Sequence, residues 1–263
     1  MKFPGDLRRT PPFRLWLLTW VGLCGMMALG RDTGVPTPKP GATVTGTFSK
    51  TRVQTNRLSY LLTVPKEYAD DPNRRFPLVL FLHGSGERGT NVQLVAVHGP
   101  PKQAREGKAF PFVLVSPQCP PDQRWEPATL AALLDEVEKA VRIDTHREYV
   151  TGLSMGGYGA WALAAHYPER FAAIAPVCGG GERIDILLGG RKTEAMKTLG
   201  IWAFHGAKDS VVPLEESQRM VAAFEKLGNT DVQLTVYPEA DHDSWTRAYN
   251  EPEFYSWLLA HHR

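Results

Sequence analysis

Short apolar runs bounded by turn residues constrain the fold of this 263-residue chain more than any other feature. Residues 78–82 are apolar at every position, so both faces of this segment need cover. That pattern is typical of a parallel strand in a sheet with helices on both sides. Seven such runs are predicted as strands: residues 57–64, 77–83, 112–117, 148–153, 171–177, 201–205 and 232–237.

Helical periodicity alternates with these runs. Leu130, Leu134, Val137 and Val141 recur at intervals of three and four residues, which places them on one face of a helix. Further helices are predicted after Ser154, around residues 220–227 and over residues 252–259. The alternation of strands and helices predicts the α/β class, with a mostly parallel central sheet flanked by helices in a single domain.

The first 44 residues differ in composition from the rest. Four basic residues precede an apolar stretch at positions 15–30, a pattern typical of a secretory signal peptide over residues 1–30. An uncleaved anchor and a lipoprotein attached through Cys24 are the alternatives. Residues 31–44 are rich in proline and glycine and are predicted as a linker, so the single folded domain is expected over residues 45–263. A secreted or periplasmic protein with no stable membrane span after signal cleavage is predicted.

A G-x-S-x-G motif contains the first candidate catalytic residue. Ser154 stands between Gly152 and Gly156, at the end of a predicted strand and the start of a predicted helix. A nucleophilic serine needs such a tight turn, because its hydroxyl must project from the edge of the sheet. The two glycines are expected where side chains would not fit. The alternative is a glycine-rich turn with a capping serine.

An oxyanion hole needs two backbone N–H groups that point at one oxygen. One is predicted from Met155, the residue after the nucleophile. The other is assigned to Ser85, in the loop that follows the strand ending at His83. Gly84 and Gly86 are alternatives for this second donor, since a backbone donor has no diagnostic side chain.

The base and the acid are predicted from chain order, which runs serine, acid, histidine in this kind of site. His242 follows the last predicted strand and is the candidate base. Asp209 follows the strand that ends near His205 and is the candidate acid, with Glu182 as the alternative. His205 itself is interpreted as a core histidine.

Several segments together resemble a group of bacterial α/β-hydrolases. These segments are residues 81–89, 116–120, 144–157, 204–213 and 242–245. The group is labelled as predicted peptidases, phospholipase/carboxylesterases and poly(3-hydroxybutyrate)-depolymerase-like esterases. The resemblance covers roughly residues 50–260 and implies an α/β-hydrolase fold with a Ser-His-Asp triad that cleaves carboxylic esters through an acyl-enzyme.

The resemblance leaves two activities open. A serine peptidase of the prolyl-oligopeptidase type is the alternative, but that kinship implies a propeller domain for which this chain has no room. An esterase is therefore favoured. The expected partner is an ester substrate, either a small molecule or an ester of a polysaccharide or polyester.

The sheet order implied by the resemblance also bears on the cysteines. It places the strand ending at Cys119 about three strands from the one ending at Cys178, or about 14 Å at the usual strand spacing. A disulfide needs Cα atoms within about 7 Å, so both thiols are predicted to be free.

Three further residues are candidates for substrate binding: Trp125, Glu182 and Trp245. For the two tryptophans, an ordinary core or surface role is the alternative. The histidines show no spacing typical of a zinc site, so no metal and no cofactor are expected. The formal net charge of +2 and the absence of a basic stripe argue against a nucleic-acid partner. The oligomeric state is left open.

Overall fold

The computed structural model describes residues 57–263 and three isolated positions, 40, 43 and 45. The chain from Thr55 to Arg263 forms one compact unit. The predicted signal peptide lies outside the described residues, as does nearly all of the predicted linker. Across residues 57–263, no helix has both the length and the apolar character needed to cross a membrane.

Seven strands form one sheet in the order β1-β3-β2-β4-β5-β6-β7. Strand β1 is antiparallel to its neighbour β3, and every other pair is parallel. Each predicted apolar run overlaps one strand, so the predicted α/β architecture is confirmed. The strands are β1 (Ser59–Thr63), β2 (Phe76–Leu82), β3 (Val113–Gln118), β4 (Ile143–Leu153), β5 (Ala173–Val177), β6 (Gly200–Gly206) and β7 (Val232–Tyr237).

Helices cover the sheet and connect its parallel strands. They are α1 (Gly99–Arg105), α2 (Pro127–Ala140), α3 (Met155–His166), α4 (Arg183–Leu187), α5 (Thr193–Thr198), α6 (Glu215–Leu227), α7 (Trp245–Ala248) and α8 (Phe254–Ala260). The four helices predicted from sequence correspond to α2, α3, α6 and α8. Of the other four, α4, α5 and α7 have six residues or fewer, which is too short to show a clear helical period. Helix α1 begins with a glycine and two prolines, residues that indicate a turn or loop.

Two apolar clusters lie on opposite faces of the sheet, and β2 contributes to both. Leu78, Leu80 and Leu82 belong to the cluster that contains residues of α2, α3 and α6. Val79 and Phe81 belong to the cluster that contains residues of α8. Alternate side chains of a strand point to opposite faces, so a continuous apolar run is what a sheet covered on both sides requires.

The cysteines lie where the predicted strand order places them. Cys119 follows β3 and Cys178 follows β5, and strands β2 and β4 lie between those two strands. Both thiols are free and buried, as predicted.

Candidate active site

Ser154 occupies a strained turn between β4 and α3. Its backbone angles are φ 52° and ψ −117°, a conformation that costs free energy for a residue with a side chain. The Ser154 N–H donates to the Val177 carbonyl at 3.0 Å, which ties the turn to β5. Residues 152–156 form this turn, the serine turn. Its geometry is that of a nucleophile held on a sharp strand-to-helix turn.

The two glycines of the serine turn leave no space for a side chain. A Cβ atom added at Gly156 would stand 1.9 Å from the carbonyl oxygen of Leu82. One added at Gly152 would stand 2.4 Å from the carbonyl oxygen of Gly156. These contacts are with backbone atoms, which cannot rotate away. The close approach of α3 to strands β2 and β4 therefore requires glycine at both positions.

Ser154, His242 and Asp209 form a continuous chain of hydrogen bonds. Nε2 of His242 lies 3.0 Å from Oγ of Ser154. Nδ1 of His242 lies 2.8 Å from Oδ2 of Asp209. An ionised carboxylate only accepts hydrogen bonds, so Nδ1 carries the hydrogen and Nε2 is left to accept the serine proton. The arrangement can convert a hydroxyl into a nucleophile.

The surrounding backbone fixes the second oxygen of Asp209. Oδ1 accepts hydrogen bonds from the N–H groups of Val211 at 2.9 Å and Val212 at 2.8 Å. The Asp209 side chain is fully buried, whereas the His242 side chain is 19% exposed. The structure thus places Asp209 against the histidine ring, while the alternative acid, Glu182, lines a cavity beside Ser154.

The loop after β2 is held by the buried ring of His83. Nε2 of His83 lies 2.9 Å from the Cys119 N–H, which donates to it, so Nδ1 carries the hydrogen and donates to the Gly84 carbonyl at 2.6 Å. The indole N–H of Trp125 donates to the His83 carbonyl at 3.1 Å. Burial lowers the pKa of His83 to about 4. The ring is therefore neutral at neutral pH, as these hydrogen bonds require.

This loop passes close to the nucleophile. A Cβ atom at Gly84 would stand 3.7 Å from Cβ of Ser154. Ser85 begins a short 3-10 helix directly after it, and Met155 is the first residue of α3. The N–H groups in the first turn of a helix have no acceptor within the helix, so Met155 has a free donor beside Ser154. The role of Ser85 as the second oxyanion donor stays a prediction.

A cavity of about 570 Å³ opens beside Ser154. Trp125 and Glu182, both predicted to bind substrate, line it. Trp245 lies elsewhere, with its ring edge-to-face against His242 at a centroid distance of 5.3 Å. The cavity is also lined by apolar, aromatic and charged side chains that the sequence did not single out as site residues: Arg88, Arg124, Tyr158, Trp161, Ala162, Ala165, Asp185 and Met220.

The missed residues on α3 share a signal in the sequence. Tyr158 follows Ser154 by four residues, about one turn of α3, so the two side chains share a face of the helix. Trp161, Ala162 and Ala165 follow Tyr158 on the same face of α3. The residues outside α3 carry no such signal, because α4, α6 and the loops at Arg88 and Arg124 reach the cavity only through the tertiary fold. Their residue types are common in cores and on surfaces.

A second cavity of about 550 Å³ adjoins the first, and Tyr158, Gly181 and Glu182 line both. Residues of α4 and α6 complete its wall: Arg183, Ile184, Leu187, Glu216 and Arg219. Ile184 and Leu187 are more than half exposed. The space beside Ser154 therefore continues towards α4.

Cys178 lies close to the acid and the base. Among residues 57–263, Cys178, Asp209 and His242 form a group whose possible metal-ligand atoms lie within 4.8 Å of one another. Burial raises the pKa of the Cys178 thiol to about 12, so it is protonated, whereas a cysteine ligand needs to be a thiolate. Asp209 and His242 already bind each other. The donor set fits a hydrogen-bonded acid–base pair better than a metal site.

Comparison with known proteins gives the family. The chain matches the model of the family described as "Putative esterase" over residues 54–234. It is 28% identical to feruloyl esterase C of Emericella nidulans over 218 residues, which cover 79% of this chain and 76% of that protein. It is 29% identical over 151 residues to a bifunctional acetylxylan esterase/xylanase of Neocallimastix patriciarum, of which it spans only 20%.

Solved structures share the fold. The crystal structure of a thermostable esterase is 34% identical, with a TM-score of 0.63, and the match covers 78% of this chain and 60% of that one. A ferulic acid esterase superposes with a TM-score of 0.61 at 16% identity, which supports the fold alone. The family match covers well over half of the chain and includes the serine turn. The chain therefore belongs to the esterase family of α/β-hydrolases, as a carboxylic-ester hydrolase.

Proposed function

We propose that Ser154, His242 and Asp209 are the catalytic triad and that the chain hydrolyses carboxylic esters through an acyl-enzyme. The observation that carries this proposal is the unbroken chain of hydrogen bonds from Ser154 Oγ through the His242 ring to Asp209 Oδ2. The strained backbone of Ser154 supports it, since strain of this kind clusters at functional sites.

The proposed reaction follows from the hydrogen on Nδ1 of His242, which leaves Nε2 free to accept the proton of Ser154. Ser154 Oγ bonds to the ester carbonyl carbon while its proton passes to His242 Nε2, and the carbonyl oxygen becomes an oxyanion. The N–H groups of Ser85 and Met155 stabilise that oxyanion. His242 then gives its proton to the leaving alcohol as the carbon–oxygen bond breaks. Water, activated by the same ring, attacks the acyl-enzyme and releases the acid.

The first cavity is proposed to hold the acid component of the ester. Its wall contains Ser154, Ser85 and Met155, the residues that face the carbonyl group in this mechanism. His242 is not part of that wall. Because the leaving alcohol must lie within reach of His242 Nε2, the alcohol occupies the other side, towards Trp245.

Aromatic acids are the proposed substrates for this cavity. Trp125 and Tyr158 offer ring faces and edges to an aromatic acyl group, and Arg88 or Glu182 can hydrogen-bond its ring substituents. Relatives named feruloyl esterases, matched over 79% of this chain, agree with this class. The alcohol is proposed to be a sugar of a polysaccharide or a small alcohol. A polyester is a further candidate, since a poly(3-hydroxyalkanoate) depolymerase of Paucimonas lemoignei matches 40% of this chain.

Substitution of Ser154 tests the proposal directly. Ser154→Ala is expected to reduce kcat for methyl esters of aromatic acids by at least about 10⁴-fold and to abolish labelling by a fluorophosphonate. Ser256→Ala is the matched control, because Ser256 is exposed on α8. Turnover and labelling that survive in the Ser154 variant would contradict the triad. Faster cleavage of peptide anilides than of esters would favour the peptidase alternative.

Export is proposed from the leader at residues 1–30. The full-length chain expressed in a bacterial host should lose this segment and be found outside the cytoplasm. Intact-mass measurement of the exported protein locates the cleavage site. A mature protein that retains residue 1 would contradict the signal peptide, and a mass increase from lipid on Cys24 would favour the lipoprotein alternative.

A further inference from the structure

His205 is a fully buried histidine that contacts the proposed catalytic acid. It lies on β6, and its ring is enclosed on all sides. Nδ1 is 2.8 Å from Oγ of Ser217 on α6. Nε2 is 2.9 Å from the carbonyl oxygen of Val212 and 3.3 Å from Oδ2 of Asp209. The sequence indicated only a core residue here, whereas the structure places a second imidazole against Asp209.

The hydrogen-bond partners of Nε2 decide whether this nitrogen carries a hydrogen. The carbonyl of Val212 and the carboxylate of Asp209 are both acceptors, so Nε2 must be protonated. Oδ2 of Asp209 also accepts the hydrogen bond from Nδ1 of His242 at 2.8 Å. A single carboxylate oxygen therefore faces ring N–H groups from two histidines.

The hydrogen bonds of Val212 to Asp209 and His205 also stabilise the turn that contains Asp209. The Val212 N–H donates to Oδ1 of Asp209 at 2.8 Å, while the Val212 carbonyl accepts from His205. Oγ of Ser217, the partner of the other ring nitrogen, also lies 2.9 Å from the carbonyl oxygen of Gly179. His205 thus connects β6, the turn at residues 209–212, helix α6 and the segment that follows β5.

We propose that His205 is a positioning residue for the triad. Its Nε2–H fixes the Asp209–Val212 turn so that Oδ2 points at His242, and it withdraws part of the negative charge on that oxygen. This inference rests on the proposed function, since it assigns a role relative to Asp209 and His242. It adds a fourth side chain on which the reactivity of Ser154 depends.

The charge effect has a definite sign. A less stabilised Asp209 carboxylate attracts the imidazolium form of His242 more strongly, so loss of the His205 N–H favours protonated His242. The acid limb of the kcat/KM profile requires neutral His242 and should then move to higher pH.

Other titratable groups face this network. They are the Cys178 thiol at the end of β5, Tyr158 on α3, and Asp241 and Asp243 on either side of His242. Burial raises the pKa of Cys178 to about 12 and also raises that of Tyr158, so both stay uncharged near neutral pH. Hydrogen bonds from the Ser210 and His242 N–H groups lower the pKa of Asp241, which stays charged there. These three groups therefore keep their charge states over the range in which the limb is measured.

Substitution of His205 by asparagine and by glutamine tests its two ring nitrogens separately. In His205→Asn the amide replaces Nδ1 and can keep the bond to Ser217, but nothing reaches Val212 and Asp209. In His205→Gln the amide N–H reaches the position of Nε2. Both variants are neutral and polar, so they form a matched pair in the full-length protein. The readouts are kcat and KM for one aromatic methyl ester, the pH profile of kcat/KM, and the rate of labelling by a fluorophosphonate.

The Asn variant is expected to lose at least about tenfold in kcat with little change in KM, the size of a lost hydrogen bond to a charged group. Its acid limb is expected to move up by about half a pH unit. The Gln variant is expected to stay within about threefold of the parent protein, with an unmoved limb. Fluorophosphonate labelling should slow in the Asn variant alone.

Equal behaviour of the two variants in kcat and in the acid limb would overturn the inference. An equal fall would mean that packing alone explains the effect, and no fall in either variant would mean that the Nε2–H contact does not affect the reaction. That result leaves the triad intact, provided that Ser154→Ala is inactive. Activity in Ser154→Ala would instead remove the proposed function itself.

Discussion

The two sides of the active site are held in place by different physical means. On one side, backbone contacts fix the serine turn, and a Cβ at Gly156 would meet a carbonyl oxygen at 1.9 Å. On the other side, side-chain and backbone hydrogen bonds fix Asp209 and His242, and each of these bonds is between 2.8 and 3.0 Å long.

This difference predicts how each side responds to substitution. Steric exclusion by backbone atoms cannot relax locally, so a single added carbon should disturb the whole fold. A hydrogen-bonded side chain can be exchanged for one of the same shape, so the fold should survive while the chemistry is lost. Substitutions on each side test this contrast, and a pH series and a cavity-filling variant extend the test to the loop after β2 and to the second cavity.

Gly156→Ala is expected to have the largest effect. The added Cβ overlaps the Leu82 carbonyl, so we expect a loss of about 3 kcal/mol or more in the free energy of unfolding and little folded protein. The measurement is denaturant unfolding followed by circular dichroism. Gly86→Ala is the matched control, because a Cβ at Gly86 has no atom within 4 Å and should leave stability nearly unchanged. A stable Gly156→Ala protein would break the contrast on the serine side.

Asp209→Asn tests the hydrogen-bonded side. The amide keeps the shape of the carboxylate but cannot hold the same His242 tautomer, so kcat should fall by about 10⁴-fold while the protein stays folded. Steady-state kinetics and a thermal melt measure the two quantities. Asp243→Asn serves as a control that flanks His242, because Asp243 contacts Thr246. If Asp209→Asn unfolds the protein, the acid is as structural as the glycines.

A fall in pH should destabilise the folded protein through His83, whose ring holds the loop after β2. Its pKa is about 4 in the folded protein and 6.5 in a model compound, so the unfolded chain takes up a proton first as the pH falls. Neutral His83 therefore makes its full contribution to the free energy of unfolding above pH 6.5. That contribution is lost as the pH falls towards 4, and the total loss is about 3 kcal/mol.

Denaturant midpoints measured between pH 4 and pH 8 test this expectation. His83→Gln keeps a polar side chain without a group that titrates in this range, so its stability should fall less between pH 6.5 and pH 4 than that of the parent protein. Parallel curves for the two proteins would show that other groups dominate the acid response.

The smallest expected effect concerns the second cavity. Leu187 lines it and is 55% exposed, so Leu187→Trp should fill part of this space. We expect kcat/KM to fall about fivefold for esters of acids that extend beyond one ring, with no change for acetate esters. Leu188→Trp is the matched control, because Leu188 is 75% exposed and is not among the residues that line either cavity. Equal loss for both ester classes would place the acid component elsewhere.

Much of the fold followed from local patterns. The strand runs, the long helices and the order serine, acid, histidine are all visible in the sequence, because strand and helix periodicity and the steric need for glycine are local properties. The short helices α4 and α7 were missed because five and four residues, respectively, are too few to repeat the helical period of about 3.6 residues. The role of His205 was missed because a buried histidine at a strand end has no sequence pattern that distinguishes contact with Asp209 from ordinary packing.

The α/β class, the esterase-type motifs and the candidate residues Ser154, Asp209 and His242 can all be predicted from the sequence. The three-dimensional arrangement was needed to show that these side chains meet within 3.0 Å, that Tyr158 and Met220 share a cavity with Trp125, and that His205 contacts the acid. The reason is physical. Local sequence governs backbone conformation and periodicity, whereas contacts between distant residues, such as Ser154 and His242, which are 88 positions apart, depend on how the strands are ordered and how the helices pack on them. His205 and Asp209 are only four positions apart, but their contact depends on the fold of the turn at residues 209–212.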